Sequence, residues 1–557
     1  MKFYKSAARI LTLTLVAGAF ASTAWAASSM SQPGEHINEQ LPVGSAAVEN
    51  NSTVQNANVP EVKFTLKSIK LDAAELHLNQ AELAKILQGC LNREMTLAEF
   101  NQEIDKVTAF CRQHGYPASA AYLPAQDSTD GSVTIKVIPG RYGKVSIENH
   151  SRLEEDIVQG FINNLKSGEI IRADKLETAL YGISDLSGTK AVAVLSPGAD
   201  FGTSDLTVRV EDGKQSNTVL YAENYGSKSS GRYRYGIQES LYNVGGRGNK
   251  LNVGGLVSNS NLRNYYVNYE ALVGRGGTTL GLGISRMQYM IGGVLGNSGM
   301  HGNADTLSLF GSAPIYHLTD RKLTFKYGFD YRKLKDDYDN GFWSSMLARK
   351  KHSTSVHAGV EGFQRFDGSV VNYDATVTTG RMNLESDSLV GKSLDEMTKA
   401  DGSFTKLNAS VTGVQSLGHK TDFMVKISGQ QASHNLDSSE QFYLGGANGV
   451  RAYPQGEGSG DAGLQGTAEL RYYTDVPGLV LSTYFDMGHV KFHHDGTEDI
   501  GGTSGETLKG WGIGISYTKP NDWFARFDYA RRIGGPSYMS HDARSKARMW
   551  FILGKIW

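Results

Sequence analysis

From about Asn217 to the C-terminus, apolar and polar residues alternate in short runs. Leu323, Phe325, Tyr327, Phe329 and Tyr331 interleave with Thr324, Lys326, Gly328, Asp330 and Arg332, so a strand here has one apolar, aromatic face and one polar face. The pattern returns at Trp523, Ala525, Phe527 and Tyr529 against Arg526 and Asp528. It recurs at Phe423, Val425 and Ile427 against Lys426 and Ser428, and at Trp511, Ile513, Ile515 and Tyr517 against Gly512, Gly514 and Ser516. A soluble sandwich would alternate as well. Strand lengths of about nine to twelve residues, however, suit a tilted bilayer crossing. Connections also alternate: 245–248, 274–277, 365–368, 474–478 and 519–522 are short, whereas 335–351, 381–402, 436–463 and 532–546 are long. Short turns on one side and long loops on the other predict a transmembrane β-barrel. The final run from Arg548 to Trp557 keeps Met549, Phe551, Leu553 and Trp557 in phase, with Lys555 breaking it. The predicted barrel spans 214–557 with about sixteen antiparallel strands, an even count that leaves both ends on the short-turn side.

Upstream, the period changes to that of small α/β units. Residues 61–140 start with an alternating strand (Val62, Phe64, Leu66, Ile69) and a short helix over 81–87. Thr96-Leu97-Ala98-Glu99 then forms a capping box. It opens a helix with Leu97, Phe100, Ile104, Val107 and Cys111 on one face, and two strands follow. Residues 141–213 repeat the order: helices marked by Leu153, Ile157 and Phe161 and by Leu176, Leu180 and Ile183, then strands over 191–195 and 206–210. Exposed edges of such modules are docking rails for extended peptides, or the modules are only spacers. Both cysteines, Cys90 and Cys111, fall in the first module. They are either a disulfide or core thiols, and two cysteines without paired histidines do not complete a metal site.

Residues 1–26 read as a signal peptide: Lys2, Lys5 and Arg9 precede an apolar run that ends at Ala24-Trp25-Ala26. Residues 27–60 are a polar segment that buries too little to order itself, a linker or a short plug helix. The formal charge of −1 becomes −4 once those three cations are removed, which gives no footing for nucleic acid. Mean hydropathy is −0.34, and no internal run is long enough for a transmembrane helix. Sixty-five glycines and 27 tyrosines fit tight turns and aromatic girdles.

The loop over 435–463 is the densest feature. Phe442 to Gly458 carries five glycines between Gly445 and Gly458, one proline, three aromatics and Arg451, too heavy a payload for a merely solvated loop. In the strand after the next turn, Leu481, Thr483, Phe485 and Met487 take the lipid face, so Tyr484, Asp486 and Gly488 point into the lumen. Asp486 then either pairs with Arg451 or meets lumen water or a basic wall residue. Lys426, Arg471 and Arg526 are candidates to line the lumen beside Glu469 and Asp528. Other motifs carry less: Gly391-Lys392-Ser393 lacks the leading glycine of a phosphate loop, and His493-His494-Asp495 fits a solvated loop better than a metal site. No catalytic signature, metal site or cofactor motif is found.

The whole resembles the outer-membrane transporters of two-partner secretion (TpsB type, the haemolysin-secretion and filamentous-haemagglutinin-secretion family). Val450-Arg451-Ala452-Tyr453 is similar to its V-R-G-Y loop motif, with Ala452 in place of glycine, and Phe485-Asp486-Met487-Gly488 to its barrel-wall motif. The resemblance implies two POTRA-like periplasmic modules, a sixteen-strand barrel, an arginine–aspartate contact inside it and an N-terminal helix that plugs the pore. It implies export of a large unfolded exoprotein with an N-terminal secretion domain, by a monomer seated in outer-membrane lipid, without enzymatic activity. The rival readings are an outer-membrane protein assembly factor of the same superfamily and a passive porin or nutrient receptor.

Overall fold

The computed structural model describes residues 47–50, 63–186, 188–290, 299–495, 504–535 and 541–557. The signal peptide over 1–26 and any plug helix before 47 lie outside the described residues.

Sixteen antiparallel strands form a closed barrel, from Ser216–Glu223 to Ala547–Ile556, each bonded to its sequence neighbours and the last to the first. Alternation sorts the two faces. Phe325, Phe329 and Tyr331 are exposed on the outside, while Thr324, Asp330 and Arg332 are buried within. The closing seam pairs only five residues, Val219–Glu223 against Ile552–Ile556. Beyond it the Asn224 side chain continues the ladder: its amide donates to the Met549 carbonyl at 2.9 Å, and its carbonyl accepts from the Phe551 N–H at 2.8 Å. Lys555, out of phase in the sequence, reaches Asp522 in the neighbouring turn at 2.5 Å and lies over the Trp523 ring.

Strand length departs from expectation. The sixth to tenth strands (Met300–His317, Arg321–Tyr338, Arg349–Phe366, Ser369–Leu384 and Gly402–Gly418) run 16 to 18 residues. Above Tyr331 the outward positions of the seventh strand become Lys333, Lys335 and Asp337, so the ladder leaves the lipid and continues in water. The apolar positions there, Leu334 and Tyr338, point inward, so the strand continues without the apolar outer face that marks a lipid-facing crossing. The segments read as loops over 335–351 and 381–402 are therefore largely hairpin tips, with short helices at Gly341–Leu347 and Leu389–Thr398. Gly391-Lys392-Ser393 falls in the second of these.

In the first module, the alternating run after Val62 is two strands, not one: Lys63–Thr65 pairs with Glu94–Thr96, and Ser68–Asp72 lies parallel to Ser132–Ile138. The chain turns between them at buried Leu66, bridged to Leu91. Ala120–Tyr122 completes the three-stranded sheet. Helices Gln80–Leu87 and Leu97–Gln113 cover it. Both arms of the capping box form, Thr96 N–H to Glu99 Oε2 at 2.8 Å and Glu99 N–H to Thr96 Oγ at 3.2 Å. Cys90 and Cys111 are free thiols buried in this core, so the disulfide alternative is not realised.

The second module is a four-stranded sheet ordered Ala47–Asn50, Thr189–Pro197, Thr203–Asp212 and Arg141–His150, backed by helices Glu155–Ile162 and Ala173–Ser184. Ala47–Asn50, from the polar N-terminal segment, joins the sheet edge in parallel. This module rests on the short turns. Asp185 meets His317 at 2.7 Å and Lys322 at 3.1 Å, Tyr181 stacks on the His317 ring, and the Glu154 N–H donates to the Gly246 carbonyl at 2.8 Å. The modules therefore sit on the short-turn side and the 435–463 loop on the other.

Candidate functional site

Between Ala432 and Ala462 the chain folds back into the lumen rather than out into solvent. Phe442–Tyr443 pairs with Ser459–Gly460, and backbone bonds from Leu444 to Gly458, Gly445 to Glu457 and Val450 to Leu444 make the loop a compact double strand. Its inner face is apolar: Leu444, Val450, Ala452 and Tyr453 are buried against Tyr484, Val490, Leu508 and Ala530. The wall leaves room with glycines. A Cβ on Gly488 would lie 2.5 Å from Leu444 Cδ2, and one on Gly510 would lie 2.5 Å from the Ala452 methyl. Ala452, where the family pattern has glycine, thus fills the space above Gly510 and is buried.

Within this seat Arg451 meets Asp486 in a bidentate pair, Nη2 to Oδ1 at 2.8 Å and Nε to Oδ2 at 2.9 Å, and its backbone N–H donates to Oδ2 at 3.1 Å. The same guanidinium reaches Glu469 at 3.1 Å and Asp528 at 3.4 Å, with the Tyr484 ring 3.1 Å from its carbon. Arg526 joins Asp528 at 2.7 Å, Arg471 joins Glu469 at 3.2 Å, and Thr467 Oγ donates to Asp486 at 2.9 Å. Three cations thus balance three carboxylates. A desolvated cluster tolerates charge only when balanced and hydrogen-bonded, and removing one member costs about 3–5 kcal/mol. The Trp550 indole N–H fixes the Arg451 carbonyl at 2.7 Å.

The structure therefore brings Val450, Arg451, Ala452 and Tyr453 onto Tyr484, Asp486 and Gly488. Glu469 and Asp528, expected in the lumen from the sequence, also meet Arg451, and Trp550 is a partner that sequence reasoning missed. The register agrees with that expectation for Glu469, which stands opposite inward-facing Tyr484. Trp550 had no readable signal. Among the described residues no group of His, Cys, Asp and Glu is placed to hold a metal.

Residues 202–517 match the model of the haemolysin secretion/activation protein family (ShlB/FhaC/HecB), and residues 64–140 match the ShlB-type POTRA domain. The chain belongs to this family. It is 28% identical over 444 residues to the heme/hemopexin transporter protein HuxB of Haemophilus influenzae, covering 78% of this chain and 77% of that protein. It is 24% identical over 477 residues to the outer membrane transporter CdiB of Dickeya dadantii, covering 83% and 81%. The solved structure of CdiB from Escherichia coli shares the fold, with a TM-score of 0.65 at 21% identity over 91% of this chain and 93% of that one. The family is one of two-partner-secretion transporters, and this chain is an outer-membrane barrel with periplasmic POTRA modules.

Proposed function

We propose that the chain exports one partner exoprotein, which carries an N-terminal secretion domain, through the barrel and without enzymatic chemistry. The passenger arrives unfolded in the periplasm and is caught by strand addition at POTRA edges. That mode is supported by Ala47–Asn50, an extended segment seated on the edge strand Thr189–Pro197. No nucleotide is needed when the passenger folds outside as it emerges. The observation that carries the reading is the buried contact of Arg451 with Asp486, which sets the 435–463 loop across the lumen. The loop tip acts as the gate, and the arginine holds its resting position. The working unit is a monomer in outer-membrane lipid.

The test is secretion of the partner by Arg451→Ala and Asp486→Ala variants, with barrel insertion followed by heat-modifiable gel mobility. Loss of secretion from inserted barrels is expected, and wild-type secretion from both would overturn the gate. General loss of outer-membrane proteins on depletion, rather than of one exoprotein, would instead identify an assembly factor.

A further inference from the structure

The loop is tied down twice, and the second tie lies on another sector of the wall. Its root, just after the eleventh strand ends at Ala432, carries Asp437 and Glu440, both buried. Asp437 takes both oxygens to Lys351 Nζ on the eighth strand, at 2.8 and 2.9 Å, and is oriented by the Ser439 N–H and hydroxyl at 2.9 and 2.7 Å. Glu440 pairs with Arg332 on the seventh strand at 2.6 Å and with Lys406 on the tenth at 2.7 Å. Its backbone carbonyl accepts from Lys406 at 3.1 Å and from Gln430 at 3.0 Å. Beside these ions Leu436 is buried with Met382, Phe404 and Ala432.

The polarity is the reverse of that at the tip. There a loop cation enters an acidic wall on the twelfth, thirteenth and fifteenth strands; here loop anions enter a basic wall on the seventh, eighth and tenth. Lys351, Arg332 and Lys406 are all buried with the loop seated, and the loop carboxylates are their salt-bridge partners. Arg349 next to Lys351 is hydrogen-bonded to Asp395 at 2.7 Å, and its charge adds to the basic surroundings of Asp437.

We propose that Asp437 and Glu440, with Lys351, Arg332 and Lys406, form a second, independent tether that keeps the loop root fixed in the lumen. The tip pairs with its own wall and the root with another, so the loop obstructs the channel only while both hold. These are positioning residues. The inference concerns the loop named in the export reading, but its test requires no passenger.

Single-channel conductance of the purified full chain in planar bilayers reads the obstruction directly. Asp437→Asn with Glu440→Gln, leaving Arg451 intact, is expected to raise the open-state fraction at least about tenfold over wild type. Lys351→Asp alone should do the same to a lesser degree, and Asp437→Lys added to it should restore the quiet trace. If the doubly neutralised variant does not insert, Lys406→Gln, which leaves Arg332 on Glu440, provides the measurement. Wild-type conductance in these inserted variants, or failure of the charge swap to restore it, would overturn the second tether. Failure to secrete the partner in a variant whose conductance rises as expected would bear on the export reading alone.

Discussion

The Trp550 indole N–H donates at 2.7 Å to the backbone carbonyl of Arg451, a residue 99 positions earlier in the chain. The last strand of the barrel thus helps to fix the loop tip that the twelfth, thirteenth and fifteenth strands hold by charge. Trp550→Phe preserves an aromatic ring and removes the donor. Leaving the buried carbonyl unpaired costs about 1–3 kcal/mol, so the folded barrel should convert at lower temperature on heat-modifiability gels while still inserting.

Arginine at 451 serves three carboxylates at once through a planar fork, which an ammonium does not reproduce. Arg451→Lys is expected to keep a single contact with Asp486 and to leave Glu469 and Asp528 under-neutralised. Secretion should fall well below wild type though charge is conserved, and protease accessibility of the loop should rise.

Ala452 and Gly510 form a matched pair of small groups. Gly510→Ala puts a methyl 2.5 Å from the Ala452 methyl and should destabilise the loop seat, by about 1–3 kcal/mol for such overpacking. Ala452→Gly added to it should recover most of the loss, measured as a double-mutant cycle in urea unfolding midpoints.

The contact of the second module with the barrel is sensitive to acid. Burial pushes the Asp185 carboxyl up, but the His317 hydrogen bond and the Lys322 ammonium outweigh it and hold it below its ordinary value of 3.8. A depressed carboxylate contributes stability that is complete above about pH 4 and is lost as pH falls through the lowered value. Spin-label distances between this module and the turn at 318–320 should therefore broaden only at strongly acidic pH, and Asp185→Asn should broaden them at neutral pH.

Burial raises the Cys111 thiol to about 11 and, ahead of the nearby Glu103 charge, raises that of Cys90 as well. Neither should alkylate in the native protein at neutral pH. Both should label after unfolding, with or without reductant, giving the same mass shift in each case.

Much of this architecture was legible because lipid on one side and water on the other force strict alternation, as Phe325 and Phe329 against Thr324 and Asp330 display. The same rule placed Asp486 inward and so opposite a loop arginine. It failed above Tyr331, where no lipid selects the outer face and the chain from Lys335 read as loop. Glu469 and Asp528 could be placed in the lumen but not matched to Arg451, because parity gives direction and not the distance between strands. The break at Leu66 was likewise hidden, since a strand that changes partners keeps its alternation.

The unequal strands have a consequence for what leaves the channel. Eighteen residues at roughly 3.3 Å each span roughly 59 Å. At the usual inclination that is roughly 45 Å of height, against an apolar belt of about 25 Å. Strands of eight to ten residues on the other flank end far sooner. The mouth is cut on a slant, like a spout with one raised lip. The tall side would stand as a wall between emerging polypeptide and the membrane surface on that flank, with the low side left open.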